Sequence, residues 1–281
     1  MQERLDYRKA HSVEEALTLF QDLPRSRYMA GGTDLLPRAR GSGQAPSRLV
    51  DIKGIPELSR IEELPSGDLR IGAAVSVAAV AAHPTVRQRF SALSLCASAL
   101  GSYPLRNRAT VVGNICNASP CADTAAALLC LDATVLCVGP AGPRRIPIHE
   151  FFVGPGQTSL ASGELALAVE IPAASAGGRA ELGRLSRRQG VDIATVAVLL
   201  SVLPQRSPRH RVALLSVAPT PRRASEAETL LDQRGPSAAN AAAEAAMAAA
   251  RPIDDVRGTA AYRREMVGVL LTRAVRALGA A

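Results

Sequence analysis

Hydrophobic residues near the start of the chain recur first at the spacing of a helix and then in short strand-like runs. The apolar face of this first helix comprises Val13, Ala16, Leu17 and Phe20. Ser12 and Glu15 match a capping box, which predicts where the helix begins. Short apolar runs bounded by turn residues predict strands further along. These strands are predicted at residues 28–30, 49–52, 69–73 and 133–138.

Further helices are predicted where capping residues precede helix-compatible segments. Residues 35–40 follow the first predicted strand and its turn, a short helix is expected after Ser76, and a longer one over residues 91–101. Ser119 as the N-cap and Pro120 as the first helical residue predict a helix over residues 121–131.

The pattern changes after a short linker. Alternation at Leu165, Leu167, Val169 and Ile171 predicts a half-buried strand. Residues 172–178 have the composition of a linker, and we place a domain boundary there. Beyond it, strands are predicted at residues 193–203 and 211–217, and helices at residues 224–231, 237–250 and 259–278. This order indicates an α+β module.

The last helix has an apolar stripe on one side. We expect burial of Met266, Val269, Leu270, Ala274 and Ala277. The arginines of this helix are expected to form its solvated face.

Two short segments combine glycine with residues that hydrogen-bond through short side chains. The first is Ala30-Gly31-Gly32-Thr33-Asp34-Leu35, and the second is Thr110-Val111-Val112-Gly113-Asn114. Glycine lets backbone N–H groups approach a ligand without a Cβ in the way, which suits phosphate. The first segment joins a predicted strand to a predicted helix, so a diphosphate there would also meet a helix N-terminus. Two such segments together indicate a dinucleotide ligand.

Neither segment matches the common nucleotide-binding fingerprints. The chain has no G-x-G-x-x-G between its first strand and helix, and no Walker Gly-Lys-Ser/Thr motif. A nicotinamide-type Rossmann fold is therefore disfavoured.

Composition narrows the classes of partner. The 281 residues are 47% hydrophobic, which is ample for packed cores. The net charge of +8 comes from scattered arginines, and only 3% of residues are aromatic, so nucleic acid binding is disfavoured. No run of about eighteen apolar residues occurs, and residues 1–9 lack the apolar segment of a signal peptide. We expect no membrane span, no secretion and a cytoplasmic location.

Cysteines and histidines form no obvious reactive group. The five cysteines are Cys96, Cys116, Cys121, Cys130 and Cys137. Without a signal peptide they are expected to be reduced thiols. Four of them fall within residues 116–137, which raises an iron–sulfur cluster, but their spacings match none of the usual ligand runs. Cys130 and Cys137 also fit buried positions in a helix and a strand, where free cysteine is often found.

The chain contains no recognisable catalytic constellation. The four histidines, His11, His83, His149 and His210, stand in unrelated contexts, and no pair has metal-ligand spacing. A cofactor site without an evident acid, base or nucleophile is typical of a protein that positions a cofactor which does the chemistry. We assign no catalytic residue and no metal ligand.

Several motifs in a fixed order resemble one family. They are the Ala-Gly-Gly-Thr-Asp segment, Arg106-Asn107, the Thr-Val-Val-Gly-Asn-Ile segment, Asn117-Ala118-Ser119-Pro120 with Asp123, and residues 164–172, 187–194 and 254–264. Together they look like the FAD-binding medium subunit of molybdenum hydroxylases, the relatives of xanthine dehydrogenase and carbon monoxide dehydrogenase. The resemblance runs nearly end to end.

The resemblance implies an α+β fold in two domains. A two-part FAD-binding domain of the vanillyl-alcohol-oxidase/PCMH type would cover residues 1–175, with parts at about 1–55 and 56–175. A small α+β domain of the CO dehydrogenase flavoprotein type would follow over residues 176–281.

The resemblance also implies which residues contact FAD. Those matching the diphosphate-contacting segments are Met29, Ala30, Gly31, Gly32, Thr33, Asp34, Leu35, Thr110, Val111, Val112, Gly113 and Asn114. Val112 stands where relatives often have glycine. Around the flavin, the matching residues are Leu100, Asp123, Arg184, Asp192 and Ile193. Arg184 falls where relatives often have a lysine, and Leu100 where a side chain covers the isoalloxazine, although leucine in a helix is more often core.

By the same resemblance, FAD is the cofactor and the chain is one station in an electron relay. Substrate would be oxidised at a molybdopterin in a large subunit, and electrons would pass through two [2Fe-2S] clusters of a small subunit to FAD and a final acceptor. The complex would be a dimer of heterotrimers. The chain itself has no plant-type cysteine run for such clusters. Two alternatives stay open: a free-standing flavoprotein oxidase, and a non-enzymatic anion- or nucleotide-binding module.

Overall fold

A small parallel sheet opens the fold in the computed structural model, which describes residues 5–41 and 45–279. Strands β1 (Asp6–Lys9), β2 (Arg27–Met29) and β3 (Arg48–Asp51) pair in the order β1-β3-β2. Helices α1 (Val13–Gln21) and α2 (Leu35–Gly41) connect them. The Ser12 hydroxyl accepts the backbone N–H of Glu15, which confirms the predicted start of α1.

A five-stranded antiparallel sheet forms the second part. Its strands are β4 (Ile61–Glu63), β5 (Leu69–Gly72), β6 (Thr134–Gly139) and β7 (Gly142–Pro147), then, after a hairpin of β8 (Phe152–Gly154) and β9 (Gln157–Thr158), β10 (Leu165–Ile171). The order in space is β4-β5-β10-β6-β7, so the last strand to be added lies at the centre.

Seven helices accompany this sheet in the described part of the chain. They are α3 (Val77–Ala82), α4 (Pro84–Arg89), α5 (Ser91–Ala99), α6 (Tyr103–Arg106), α7 (Val111–Cys116), α8 (Asp123–Cys130) and α9 (Ile148–Phe151). Ser76 caps α3, as the sequence predicted, through the amide of Ala79.

The C-terminal part is a four-stranded antiparallel sheet with three helices. Strands β11 (Arg179–Leu185), β12 (Val196–Val202), β13 (His210–Leu215) and β14 (Arg222–Arg223) follow one another in space as in sequence. Helices α10 (Ser225–Arg234), α11 (Ala239–Ala249) and α12 (Ala260–Gly279) complete it. The predicted α+β architecture is confirmed.

The C-terminal sheet is buried on both faces. Val198 and Leu200 of β12 pack with α10, α11 and α12 in one hydrophobic cluster. Ala197 and Leu199, on the opposite face, belong to the core that also contains Leu93 of α5 and the apolar residues of α8. Because successive strand residues point to opposite faces, burial of both explains the continuous apolar run of β12. The C-terminal sheet therefore separates two hydrophobic cores, one shared with α5 and α8 and the other with α10, α11 and α12.

Helix α8 is fastened to the C-terminal part at both ends. At its first residue, the Asp123 carboxylate lies 3.3 Å from Nε of Arg184 on β11. Just beyond its last turn, the Asp132 carboxylate forms ion pairs or hydrogen bonds with four side chains. These are His149 on α9 and Arg206, Arg211 and Arg223 of the C-terminal part. The position of α8 relative to β11 is thus fixed by ion pairs as well as by packing.

The start of α8 differs from the prediction. The helix begins at Asp123 rather than at residue 121, and its N-cap residue, Ala122, makes no side-chain capping bond. Ser119 instead belongs to a turn closed by the amide of Ala122 on its carbonyl, and its hydroxyl lies 3.0 Å from the Cys121 sulfur. The Ser-Pro pair was wrong as a cap because the turn takes up the residues that would have formed the first helical turn.

Two predicted burial patterns also differ. Strand β10 was expected to be half-buried, but six of its seven residues are buried, because it is the central strand and both of its faces are covered.

In α12 the buried residues are Arg263, Val267, Gly268, Leu270, Leu271, Ala274 and Val275. The predicted stripe was right for Leu270 and Ala274 and wrong for Ala277, which is exposed, while Met266 and Val269 are only half-buried. Helix α12 packs on both β12 and α11, so its buried face is wider and displaced.

No helix within residues 5–41 and 45–279 is long and apolar enough to cross a membrane.

Candidate cofactor-binding site

A cavity of about 740 Å³ lies where the three parts of the fold meet. Its size is within the range of about 300–1,000 Å³ common for small-molecule sites. From the N-terminal part it is lined by residues 27–35 and Arg38, from the middle part by residues between Leu100 and Asp123 together with Gly156, and from the C-terminal part by Arg187, Arg188, Val191, Asp192, Ile193 and Arg257.

The first glycine segment forms the turn between β2 and α2, as predicted. Gly32 has φ of +70°, a left-handed conformation that favours glycine. Gly31 serves a different purpose. A Cβ on Gly31 would lie 2.0 Å from the carbonyl oxygen of Arg108, so this glycine allows the first segment to touch the chain just before the second. The first segment is therefore in direct contact with the two residues that lead into the second, Arg108 and Ala109.

Lys53 supports the first segment from outside the cavity. Its ammonium donates to the carbonyl of Ala30 at 3.0 Å and to the carboxylate of Asp51 at 2.7 Å. Asp51 also accepts a hydrogen bond from the hydroxyl of Tyr7. Nothing local in the sequence indicates this role, because Lys53 lies more than twenty residues from Ala30.

The second segment is the start of helix α7 rather than a loop. The Thr110 hydroxyl accepts the amide of Gly113 at 2.9 Å, which is an N-cap. A Cβ on Gly113 would lie 2.8 Å from that hydroxyl, which is closer than Cβ atoms normally approach, so the present position of the Thr110 side chain suits glycine here. Asn114 reaches α8, where its side-chain oxygen accepts the Thr124 hydroxyl at 2.6 Å.

Most of the predicted contact residues meet at the cavity, but three do not line it. Those that line it are Met29, Ala30, Gly31, Gly32, Thr33, Asp34, Leu35, Leu100, Thr110, Gly113, Asn114, Asp123, Asp192 and Ile193. Val111 and Val112 are buried in the core, with their side chains packed among apolar neighbours. Arg184 does not line the cavity, but it contacts two residues that do, Asp123 and Asp192.

Arg184 joins the middle part to the loop after β11. Its Nε pairs with Asp123, and its Nη2 donates to the backbone carbonyl of Asp192. Burial raises the pKa of Asp123 to about 6, although the charge of Arg184 opposes this. The cavity therefore has a carboxyl group in its wall that changes protonation near neutral pH.

Two buried polar atoms of the C-terminal wall have no hydrogen-bond partner within the described residues. They are Oδ2 of Asp192 and Nε of Arg257. The nearest charges to Asp192 Oδ2 are Nε of Arg188 at 3.5 Å and Nε of Arg187 at 3.9 Å. Buried polar groups are nearly always satisfied, so an unpaired acceptor and an unpaired donor on residues lining one cavity fit a polar ligand.

Two cysteines line the cavity as well, which the sequence did not indicate. They are Cys116, on α7, and Cys121, in the turn before α8. Burial raises the pKa of the Cys116 thiol to about 12. Among the residues that the structure describes, no histidine lines the cavity, and no three His, Cys, Asp or Glu side chains converge as metal ligands.

Two family models match the chain in succession. One, described as the FAD-binding domain in molybdopterin dehydrogenase, matches residues 3–174. The other, described as the CO dehydrogenase flavoprotein C-terminal domain, matches residues 183–278.

Similar proteins agree with these models. The carbon monoxide dehydrogenase medium chain of Hydrogenophaga pseudoflava is 33% identical over 279 residues, covering 98% of this chain and 96% of that one. The putative xanthine dehydrogenase FAD-binding subunit of Escherichia coli (strain K12) is 32% identical over 226 residues, and the match covers 79% of this chain and 77% of that subunit. The solved structure of a Hydrogenophaga pseudoflava carbon monoxide dehydrogenase that lacks the Mo-pyranopterin moiety superimposes with a TM-score of 0.92 at 34% identity, covering 99% of this chain and 98% of the other.

Proposed function

Since this chain belongs to the family of FAD-binding medium subunits of molybdenum hydroxylases, we propose that it holds FAD as an electron relay between two partners. The donor is a small subunit with 2Fe–2S clusters, and the recipient is a final acceptor. The observation that carries this proposal is the cavity in which both glycine segments meet the C-terminal loops. When bound, FAD supplies the ability to take up and release electrons.

The glycine segments fit the diphosphate. Backbone amides of residues 31–35 lie at the start of α2, and Thr110, Gly113 and Asn114 line the cavity at the start of α7. The first amides of a helix have no acceptor within the helix, and they favour negative charge. Lys53 helps to hold the first of these turns in shape through the Ala30 carbonyl.

The opposite wall fits the flavin. Asp192 and Arg257 carry an acceptor and a donor that lack a hydrogen bond within the described residues, and such atoms suit the polar edge of a ring system. Leu100 lines the cavity and is buried, as a side chain that packs against a ring would be. Arg184 acts from behind this wall, because it orients the Asp192 backbone and balances the Asp123 carboxylate. Its charge also favours negative charge on a ligand in the cavity.

The mouth of the cavity has the character of a protein interface. Leu105, Val191 and Ile193 line the cavity and yet are 36%, 56% and 46% exposed, and Val256, beside Arg257, is 84% exposed. Exposed apolar side chains interspersed with arginines are typical of surfaces that a partner covers. A relay needs such contact, since the flavin must lie close to the cluster that reduces it. The partners we propose are a large molybdopterin subunit and the small iron–sulfur subunit, in a dimer of heterotrimers.

A direct experiment is to compare the isolated chain with the assembled complex. Loaded with FAD that is then reduced chemically, the isolated chain is expected to pass electrons to artificial acceptors; with oxidised FAD it should oxidise none of the family's substrate classes. Co-expression with its large and small subunits should give one complex that contains molybdenum, iron and FAD. Substrate oxidation by the isolated chain, without co-purification of an iron–sulfur subunit, would instead establish a free-standing oxidase. A colourless chain that fails to take up FAD would instead support the remaining alternative, a non-enzymatic anion- or nucleotide-binding module.

A further inference from the structure

One buried arginine at the start of α12 holds several backbone segments at once. Arg263 is only 4% exposed, although the sequence predicted that the arginines of this helix face solvent. Its Nη1 donates to the carbonyl of Ser216 at 2.8 Å and to that of Thr195 at 3.3 Å. Its Nε lies 3.4 Å from the carbonyl of Gly258, and its Nη2 pairs with the Asp255 carboxylate.

Each of these backbone contacts lies next to a segment of the cavity wall. Thr195 follows closely after Ile193, and Gly258 comes directly after Arg257. Ser216 is linked to the turn before α8, because its amide donates to the carbonyl of Pro120 at 2.8 Å. Arg263 itself does not line the cavity. Arg263 therefore lies just outside the cavity, where it contacts the backbone beside three segments that line it.

Only arginine has the geometry for this arrangement. The guanidinium carries five N–H donors in a rigid plane, so that one side chain reaches acceptors in several directions. Lysine keeps the charge but places three donors on a single atom. Glutamine keeps part of the polar end without the charge. Loss of the fork would leave buried carbonyls and the Asp255 carboxylate short of donors, and the segments would separate to reach water.

We infer that Arg263 is a positioning residue, which sets the C-terminal wall in the conformation that receives the flavin half of FAD. The inference rests on the proposed function. It also predicts that binding of the flavin half of FAD depends on Arg263 and that binding of the ADP half does not. The glycine segments, which bind the diphosphate in this proposal, make no contact with Arg263, so the ADP half of the cofactor should bind regardless of it.

The test measures binding of FAD and of ADP by the FAD-free chain, using Arg263→Gln and Arg263→Lys. Arg264→Gln, which alters the exposed neighbouring residue, is the control. Both Arg263 variants should bind FAD at least tenfold more weakly than the wild-type chain, with ADP affinity unchanged within about twofold. The visible circular dichroism of bound FAD, which reports the surroundings of the flavin ring, should change in Arg263→Lys and not in Arg264→Gln.

The alternatives give distinct results. A parallel fall in FAD and ADP affinity would mean that Arg263 serves the general fold, and unchanged FAD affinity in Arg263→Lys would mean that its fork is not needed. Either result overturns the inference. If the wild-type chain binds ADP but not FAD, the proposed function fails, whatever the variants do.

Discussion

The carbonyl oxygen of Arg108 lies 2.0 Å from the point where a Cβ on Gly31 would sit. The absence of a side chain at Gly31 thus lets the first glycine segment touch the residues that lead into the second. The close contact, and not a left-handed backbone conformation, accounts for glycine at position 31, because the φ of Gly31 is not positive. The neighbouring Gly32 is different, since its φ of +70° is a conformation that L-residues rarely adopt.

Gly31→Ala should separate the two segments. The added methyl group cannot fit against backbone, so the turn must move, at a cost of about 1–3 kcal/mol in unfolding free energy, as for other overpacked sites. FAD affinity should fall with it. Urea unfolding and FAD titration check the two effects, and an alanine variant that binds FAD as tightly as wild type would show that contact between the segments is unnecessary.

Gly32→Val should remove FAD and leave the fold largely intact. A β-branched residue resists positive φ, and its Cβ would crowd the side chains of Leu36 and Met29 at 3.1–3.3 Å, so the turn would have to change shape. Gly142→Val is the matched control, because Gly142 also has positive φ but lies in the β6–β7 turn, where a Cβ meets nothing within 4 Å. Both variants should lose some thermal stability. Flavin absorbance should disappear only in Gly32→Val, and full occupancy there would remove this turn from the site.

FAD should be bound non-covalently. The sequence suggests this because neither glycine segment contains histidine or cysteine, but the fold brings Cys116 and Cys121 to the cavity. Thiolates are the reactive form, and burial raises the pKa of Cys116 to about 12. Acid precipitation should release all flavin as FAD into the supernatant. Flavin that stays in the pellet of the wild-type chain, but not of Cys116→Ser or Cys121→Ser, would contradict this.

Asp123 should make the stability of the FAD-free chain depend on pH. Its pKa rises from 3.8 to about 6 on burial, so the folded state holds the proton more tightly than the unfolded state. The stability that this carboxyl contributes is therefore complete below about pH 4 and is lost as the pH rises through 6. Asp123→Asn cannot titrate, so between pH 4.5 and 7.5 its unfolding free energy should rise relative to that of wild type by about 2 kcal/mol, at about 1.4 kcal/mol per pKa unit.

Urea unfolding at the two pH values measures this difference. Asp34→Asn, which alters an exposed carboxylate of the same cavity, should show no such gain. Equal pH dependence in wild type and Asp123→Asn would mean that Asp123 is ionised throughout.

Local signals predicted local features well. Ser12 and Ser76 cap the helices that their positions indicated, and the turn of the first glycine segment follows from what Gly32 alone can adopt. Features set by distant parts of the chain were missed. The burial of β10 depends on its place at the centre of a sheet, which its own alternation does not encode.

The same distinction applies to the site. Lys53 and Arg263 act on carbonyls far away in sequence, and an arginine in a helix is exposed by default, so no periodicity identifies either residue. Val111 and Val112 were included because they stand between Thr110 and Gly113. Once Thr110 begins a helix, their side chains turn into the core, and neither residue lines the cavity.

The exposed apolar residues at the mouth of the cavity should be needed for assembly rather than for FAD binding. Val256 is 84% exposed and follows the carboxylate that Arg263 holds, so its side chain is presented on an ordered turn. A charge placed there would have to be buried against the partner, which costs several kcal/mol unless it is paired. Val256→Asp should therefore retain FAD and co-purify poorly with the iron–sulfur subunit. Leu95→Asp, an exposed apolar position on α5 away from the cavity lining, should assemble normally. Normal assembly of Val256→Asp would place the partner on another face, and loss of FAD would make Val256 part of the cofactor site.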